Sequence, residues 1–121
     1  MKSLALNDIL KEIGSGHVVQ GSGNPMIEHV MDCSEKVIDD HTLVFHMDHE
    51  RIRGKHWNEN KAIVIITDRP ELCTNLGKHI MLIKIDDLEG AYWRFIHYYR
   101  NLFNIPVIGV TELVGKQQRR K

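Results

Sequence analysis

The sequence predicts a small α/β domain with a mostly parallel or mixed sheet and few helices. Several segments, including residues 62–67 and 80–85, are apolar at consecutive positions, which is typical of central strands covered on both faces. An amphipathic segment at residues 88–103 lies between two aliphatic segments. The order strand, helix, strand favours a right-handed parallel crossover. We therefore expect one α/β domain.

The first predicted elements are short. A helix is predicted over residues 8–13, with Asn7 as its amino-terminal cap and Gly14 at its end. Glycine-rich turns flank an extended piece at residues 17–20. The apolar side of the helix is formed by Leu6, Ile9, Leu10 and Ile13.

The sheet and the second helix are predicted from longer patterns. The helix at residues 88–103 is expected to start at a cap provided by Asp86 or Asp87. Its aromatic residues, including Trp93, are expected to pack in the core rather than to form a base-stacking platform. Its helically spaced apolar positions are Leu88, Ala91, Tyr92, Phe95, Tyr99 and Leu102. The predicted strands, rich in β-branched or aliphatic residues, are 27–31, 42–47, 62–67, 80–85 and 107–111.

Composition indicates a small soluble domain. The chain has 121 residues, 42% of them hydrophobic, which is enough for one core. Its 16 basic and 16 acidic residues balance, so we expect neither nucleic acid nor a membrane as a partner. Cys33 and Cys73 are too few for a disulfide framework. The longest aliphatic run, residues 62–66, is too short to span a bilayer, and the expected location is the cytoplasm.

A strand at residues 107–111 leads into a damaged phosphate loop that contains Thr111, Gly115 and Lys116. A working loop needs a Ser or Thr hydroxyl for Mg²⁺ after its lysine. Here Gln117 stands at that position, and Glu112 places a carboxylate where an anion would bind. The sequence as it stands offers neither a downstream helix nor a second acidic motif for the metal. We expect no ATP hydrolysis, no catalytic residue and no cofactor.

The strand and the loop resemble those of the Mur ligases, the ATP-dependent enzymes that add amino acids to the muramyl peptide precursor of the bacterial cell wall. In that family an amino-terminal domain that binds the UDP-sugar leads, through an Ile-Pro-Val-Ile-Gly-Val-Thr-like strand, into a Thr-Gly-x-x-Gly-Lys-Thr loop. Gly109 also matches this pattern. The resemblance implies a substrate-domain-like region at 1–103, the strand and degenerate loop at 104–116, and a basic tail at 117–121.

The amino-terminal half resembles the family motif Asp-Ser-Arg-x-Val-x-Pro-Gly-x-Leu-Phe-Val-Ala. Residues 33–45 lie over this motif without a gap, and Ser34, Val37 and Val44 are identical to it. In the family, the serine and the loop after the Phe-Val-Ala strand contact the uridine nucleotide. The resemblance places that loop at residues 46–51, and it places Gly54 and His56 near the family's Gly-His pair. One family helix is missing after Trp57.

The residues themselves also indicate a binding loop after the strand at 42–47. The planar guanidinium group of arginine suits a pyrophosphate, and imidazoles can hydrogen-bond a uracil or ribose. Trp57 can stack on a base. The alternative is a solvated polar loop that binds nothing. The candidate substrate-binding residues are Ser34, His46, His49, Arg51, Gly54, His56 and Trp57.

A metal site is a second interpretation of the same loop. His46 and His49, together with Asp48, Glu50 and His56, supply the nitrogen and oxygen ligands that Zn²⁺ accepts. On a continuous strand, however, His46 and His49 would point to opposite faces. The spacing fits no defined site, and we expect no metal. Neither cysteine has a motif that would make it a nucleophile.

Three functions follow from these patterns. The first is a stand-alone, non-catalytic domain that binds a UDP-muramyl precursor or a protein partner. The second is the substrate-binding fragment of an ATP-dependent UDP-N-acetylmuramoyl-peptide ligase, with its other domains on a separate polypeptide. The third is a metal-binding or dimerisation module, in which the missing helix leaves a face open for a partner, for example in a homodimer.

Overall fold

A five-stranded sheet forms the centre of the protein. The computed structural model describes residues 3–14, 16–32, 39–53 and 61–103. The strands of the sheet are β2 (His17–Gln20), β4 (His29–Met31), β5 (Thr42–Phe45), β7 (Ile63–Thr67) and β9 (Ile80–Lys84). The strand order is β2-β9-β7-β5-β4. The last four strands in this order are mutually parallel, whereas β2 pairs with β9 in the antiparallel direction. The predicted α/β class with a mostly parallel sheet is confirmed.

Two helices and two small strand pairs complete the described part of the fold. Helix α1 covers Leu6–Ile13 and helix α2 covers Leu88–Phe103. A 3₁₀ turn covers Pro70–Leu72. The strand pairs are β1 (Leu4–Ala5) with β3 (Met26–Ile27), which is antiparallel, and β6 (Ile52–Arg53) with β8 (Cys73–Thr74), which is parallel.

The predicted strand at residues 27–31 is wrong as a single element. The structure divides it into the end of β3 and the separate strand β4, which belong to different sheets. Glu28 lies between them, and the backbone N–H groups of Glu28 and His29 both donate to the carbonyl of His41, at 2.8 and 3.2 Å. Because two successive amides point to one acceptor, the alternation of a strand is broken at this point.

The consecutive apolar positions are explained by cover on both faces of the sheet. One face carries Leu43 and Phe45 of β5 together with Val64 and Ile66 of β7, and these residues pack with both helices in one cluster. The opposite face is covered by the β6–β8 pair. Its buried cluster contains Val44, Ile52, Ile63, Ile65, Cys73, Ile80 and Leu82. Alternate residues of each central strand therefore enter different layers of core, as we expected for central strands.

Helix α1 is capped by a residue distant in sequence. Asn7 was expected to be its cap, but α1 starts at Leu6 and has no cap hydrogen bond from its own preceding residue. Instead, the backbone N–H of Asn7 donates to Oδ1 of Asn24 at 2.8 Å. At the other end, Gly14 follows the helix with φ of 92°. Arg94 of α2 donates to the carbonyl of Ile13 through both Nε and Nη2, at 3.0 and 2.9 Å.

Helix α2 agrees with the prediction in its bounds and its cap. Oδ1 of Asp87 accepts the N–H of Gly90 at 3.0 Å. The ring of Phe45 lies 5.3 Å from that of Tyr92 and 5.7 Å from that of Phe95, so aromatic packing joins the helix to the sheet. The core expectation is wrong for Trp93 and Leu102, which are 38% and 48% exposed.

The predicted strand at 107–111, and the crossover that would lead into it, lie outside the described residues. Among the residues that are described, no helix is long and apolar enough to cross a membrane.

Candidate functional site

The candidate site begins at the carboxyl ends of β5 and β7. These parallel strands are in register from Thr42 opposite Ile63 to Phe45 opposite Ile66. The backbone N–H of His46 donates to the carbonyl of Ile66 at 2.9 Å and continues the ladder by one bond. Polar side chains that follow the two strands are therefore brought to one edge of the sheet, where ligands of α/β folds commonly bind.

His46 fastens the loop after β5 to the end of β7. Its side chain is fully buried, with Nε2 2.6 Å from the carbonyl of Glu50 and Nδ1 2.8 Å from Oγ1 of Thr67. A carbonyl can only accept, so Nε2 carries the proton. The Thr67 hydroxyl accepts the N–H of Arg69 at 2.9 Å and can donate its own proton to Nδ1. Both ring nitrogens are thus used inside the protein.

His49 lies beside His46 because the strand has already ended. Strand β5 stops at Phe45 rather than Met47, and residues 47–48 form a turn. His49 follows with φ of 53°. Its ring lies edge-on to that of His46, 5.8 Å away, and its Nε2 lies 2.8 Å from Oδ1 of Asp68. The expectation that His46 and His49 point to opposite faces is wrong, since it assumed a continuous strand.

Two arginines line an open groove next to this loop. Arg51 and Arg53 are both exposed, and the buried Ile52 lies between them, so the alternation of an extended chain places both on the outer side of β6. Together with Thr74 and Asn75 they line a groove of about 310 Å³. Neither arginine has an ion pair or hydrogen bond among the described residues. Two guanidinium groups without a partner in the described part of the chain suit an anion.

Sequence reasoning missed several of the residues that shape the loop and the groove. The candidate binding residues predicted from the sequence do not include Arg53. No local sequence pattern marks Thr74 and Asn75 as binding residues. They line the groove because Thr74 pairs with Arg53 when β6 and β8 come together. Thr67 and Asp68 are likewise distant in sequence from the loop they hold. The register of β5 with β7 places Thr67 and Asp68 beside this loop. No short sequence motif predicts that register.

The remaining candidate residues lie outside the part of the chain that the structure describes. In the binding set these are Ser34, Gly54, His56 and Trp57, and in the degenerate phosphate loop they are Thr111, Gly115 and Lys116. Their assignments stay predictions.

Metal binding and catalysis by a cysteine nucleophile find little support among the described residues. No group of three or more His, Cys, Asp or Glu side chains within residues 3–14, 16–32, 39–53 and 61–103 could hold a metal ion. Cys73 is buried against Ile52 and Leu82. Burial, with a contribution from the charge of Glu71, raises the pKa of the Cys73 thiol to about 11. It is therefore protonated at neutral pH and a poor nucleophile.

Comparison with known proteins gives one informative similarity. The chain is 40% identical over 55 residues to UDP-N-acetylmuramoyl-tripeptide--D-alanyl-D-alanine ligase of Synechocystis. That match supports a relationship to the Mur ligases. The matched segment covers 46% of this chain and 12% of the ligase, so this chain spans a small part of that enzyme. No family model matches the chain, and no solved structure matches it.

Proposed function

We propose that this chain is a non-catalytic domain related to the substrate-binding domain of the Mur ligases, and that it binds a UDP-linked peptidoglycan precursor. The similarity to a UDP-N-acetylmuramoyl-tripeptide ligase supports the class of ligand. The observation that carries the proposal is a groove lined by Arg51 and Arg53, which flank Ile52 on the outer side of β6 and have no ion pair or hydrogen bond among the described residues. The cytoplasmic location expected from the sequence belongs to the same proposal.

The groove suits the diphosphate of such a ligand. Arg51 directly precedes β6 and Arg53 ends it, two residues apart on the same side of the extended chain, so their guanidinium groups can each take one phosphoryl group. The Thr74 hydroxyl and the Asn75 amide, which also line the groove, add hydrogen-bond donors. None of the four lining residues is acidic, so no carboxylate in this set competes with the phosphates.

The loop from His46 to Arg51 would position these groups and contact the nucleoside. In this proposal His46 is a positioning residue, because both of its ring nitrogens are already bonded within the protein. His49 is 42% exposed and is oriented by Asp68, so its imidazole can meet a ribose or uracil. Ser34, Gly54, His56 and Trp57 complete the proposed site on the strength of the sequence alone: Ser34 and Gly54 through the family resemblance, and His56 and Trp57 also through the chemistry of their side chains.

Mapping the UDP site by NMR tests this assignment. A titration with UDP should shift the backbone signals of residues 51–53 and 74–75, which form the groove, and those of residues 49–50, which belong to the proposed nucleoside-binding loop. Uridine should shift the signals of residues 49–53 less, since it lacks the diphosphate. Zn²⁺ serves as the second probe. If the signals of this loop shift with Zn²⁺ and not with UDP, the loop is a metal site and the proposal is wrong. If neither probe shifts them, the domain is better explained as a protein-interaction module.

ATP binding separates this proposal from its main alternative. The similarity to an intact ligase also favours a substrate-binding fragment of an active enzyme. Because Glu112 and Gln117 replace residues that a phosphate loop requires, we expect no calorimetric signal from ATP with Mg²⁺ at millimolar nucleotide. A dissociation constant below roughly 100 μM, about −5.5 kcal/mol, would contradict the non-catalytic proposal.

A further inference from the structure

The hydrogen bond between His49 and Asp68 joins two accessible side chains at the carboxyl edge of the sheet. Strand β5 ends at Phe45 and β7 ends at Thr67, so the two residues follow neighbouring parallel strands. Nε2 of His49 lies 2.8 Å from Oδ1 of Asp68, and the side chains are 42% and 29% exposed. A ligand at this edge can therefore reach both groups.

The imidazole of His49 is held in one orientation before any ligand arrives. The backbone of His49 has φ of 53°, in a region that residues other than glycine seldom adopt. Its ring lies edge-on to the buried ring of His46, 5.8 Å away, and Asp68 fixes its Nε2. A side chain that is already ordered loses little conformational freedom when it binds.

This arrangement leaves Nδ1 of His49 available to a ligand. Within the described residues Nδ1 has no hydrogen-bond partner, whereas both ring nitrogens of His46 are used inside the protein. The Nδ1 atom accepts a hydrogen bond when the imidazole is neutral and donates one when it is charged. A hydroxyl group both donates and accepts, so it suits this nitrogen in either state.

The position of His49 relative to Arg51 indicates which part of a nucleotide it meets. The two residues are separated by one residue, so their Cα atoms lie at most about 7 Å apart. Arg51 lines the groove to which we assign the diphosphate. In a nucleoside diphosphate the ribose is attached directly to the diphosphate, and the base lies beyond it. The hydroxyl groups nearest to the arginines are therefore those of the ribose.

We propose that His49, positioned by Asp68, hydrogen-bonds the 2′- or 3′-hydroxyl of the ribose, so that the site selects ribonucleoside diphosphates over their deoxy forms. This inference rests on the proposed function, because it takes the diphosphate to lie between Arg51 and Arg53. It assigns His49 to the sugar rather than to the base, and it gives Asp68 the role of a positioning residue.

Calorimetry of the full chain with UDP, 2′-deoxy-UDP and 3′-deoxy-UDP tests this selectivity. The analogue that lacks the contacted hydroxyl should bind about three- to tenfold more weakly than UDP, as expected for the loss of one hydrogen bond. The two analogues show which hydroxyl is used. Equal affinity for all three ligands would overturn this inference and leave the proposed function intact. Absence of UDP binding would overturn both.

Replacement of His49 shows whether its imidazole reads the hydroxyl. His49→Phe keeps a ring but removes both nitrogens, so UDP and the weaker analogue should bind with equal affinity. The partly exposed position makes the fold tolerant of this change. His97→Phe, at an exposed histidine of α2, is the matched control and should keep the wild-type ratio. A wild-type ratio in His49→Phe would overturn the assignment.

Replacement of Asp68 tests its positioning role. Asp68→Ala frees the imidazole to rotate, so the preference for UDP over the analogue should fall towards unity. Asp68→Asn keeps an oxygen that can accept from Nε2 and should restore most of the preference. Glu89→Ala, which removes an exposed carboxylate from α2, should leave the ratio unchanged. An unchanged ratio in Asp68→Ala would show that Asp68 does not position His49 for the ligand.

Discussion

At the scale of single residues, His46 shows how a candidate ligand can serve the fold instead. Its imidazole links Thr67 to the carbonyl of Glu50 inside the protein. His46→Ala should destabilise the protein by about 2 to 4 kcal/mol, because it leaves a buried cavity and unpaired polar groups. Urea denaturation measures this loss. His97→Ala, which removes an exposed imidazole on α2, should stay within about 0.5 kcal/mol. Equal effects of the two substitutions would refute the role given to His46.

Asp40 gives the protein a pH-dependent contact at the start of β7. The N–H of Ala62 is the main cause that holds the pKa of Asp40 below its ordinary value, and the N–H and charge of His41 add to it. A depressed folded pKa means that this stabilisation is present above the ordinary pKa, near 3.9. It is lost as the pH falls through the folded pKa.

The urea midpoint should therefore fall between pH 6 and pH 3 in the wild-type protein, and it should fall less in Asp40→Asn. Asp8→Asn, a substitution on the exposed side of α1, is the charge-matched control and should follow the wild-type curve. An unchanged pH dependence in Asp40→Asn would show that Asp40 makes no such contribution.

At the scale of elements, hydrophobic periodicity predicted the strands and helices whose pattern lies within one segment. It missed the elements that form by pairing between distant segments. The runs at residues 63–67 and 80–84 were predicted because each central strand buries both of its faces, which leaves an unbroken apolar signature. Helix α2 was predicted because its spacing and its Asp87 cap lie within one segment. The β6–β8 pair was missed, because two-residue strands have no measurable period.

The cap of α1 allows a direct comparison of the sequence prediction with the structure. If Asn24 caps the helix from a distant turn, Asn24→Ala should cost about 1 kcal/mol of stability. Asn7→Ala should change stability by less than about 0.5 kcal/mol, since its side chain is not the cap. Thermal or urea unfolding of both variants decides between the two residues. A larger loss in Asn7→Ala would restore the sequence-based assignment.

At the scale of the whole molecule, the sheet explains why the candidate site could be predicted only in part. The loop at residues 46–51 was found because it is rich in His and Arg and follows a clear strand. The groove that Arg51 lines was not predicted, because it forms only when β6 pairs with β8. The groove at the starts of β7 and β9 likewise joins residues 21–25 to residues 78–81. Such sites are products of topology, and no local pattern of residues encodes them.

The central claim is that a diphosphate-bearing nucleotide binds through Arg51 and Arg53, and calorimetry with UDP tests it most directly. The wild-type protein should bind UDP, and Arg51→Ala and Arg53→Ala should each weaken binding by about 1.5 to 3 kcal/mol, the range for a hydrogen bond to a charged group. Arg100→Ala is the control, since it removes the same charge from α2, which packs on the opposite face of the sheet from β6. It should leave the affinity unchanged. Absence of UDP binding by the wild-type protein, or equal affinity in all three variants, would contradict the account.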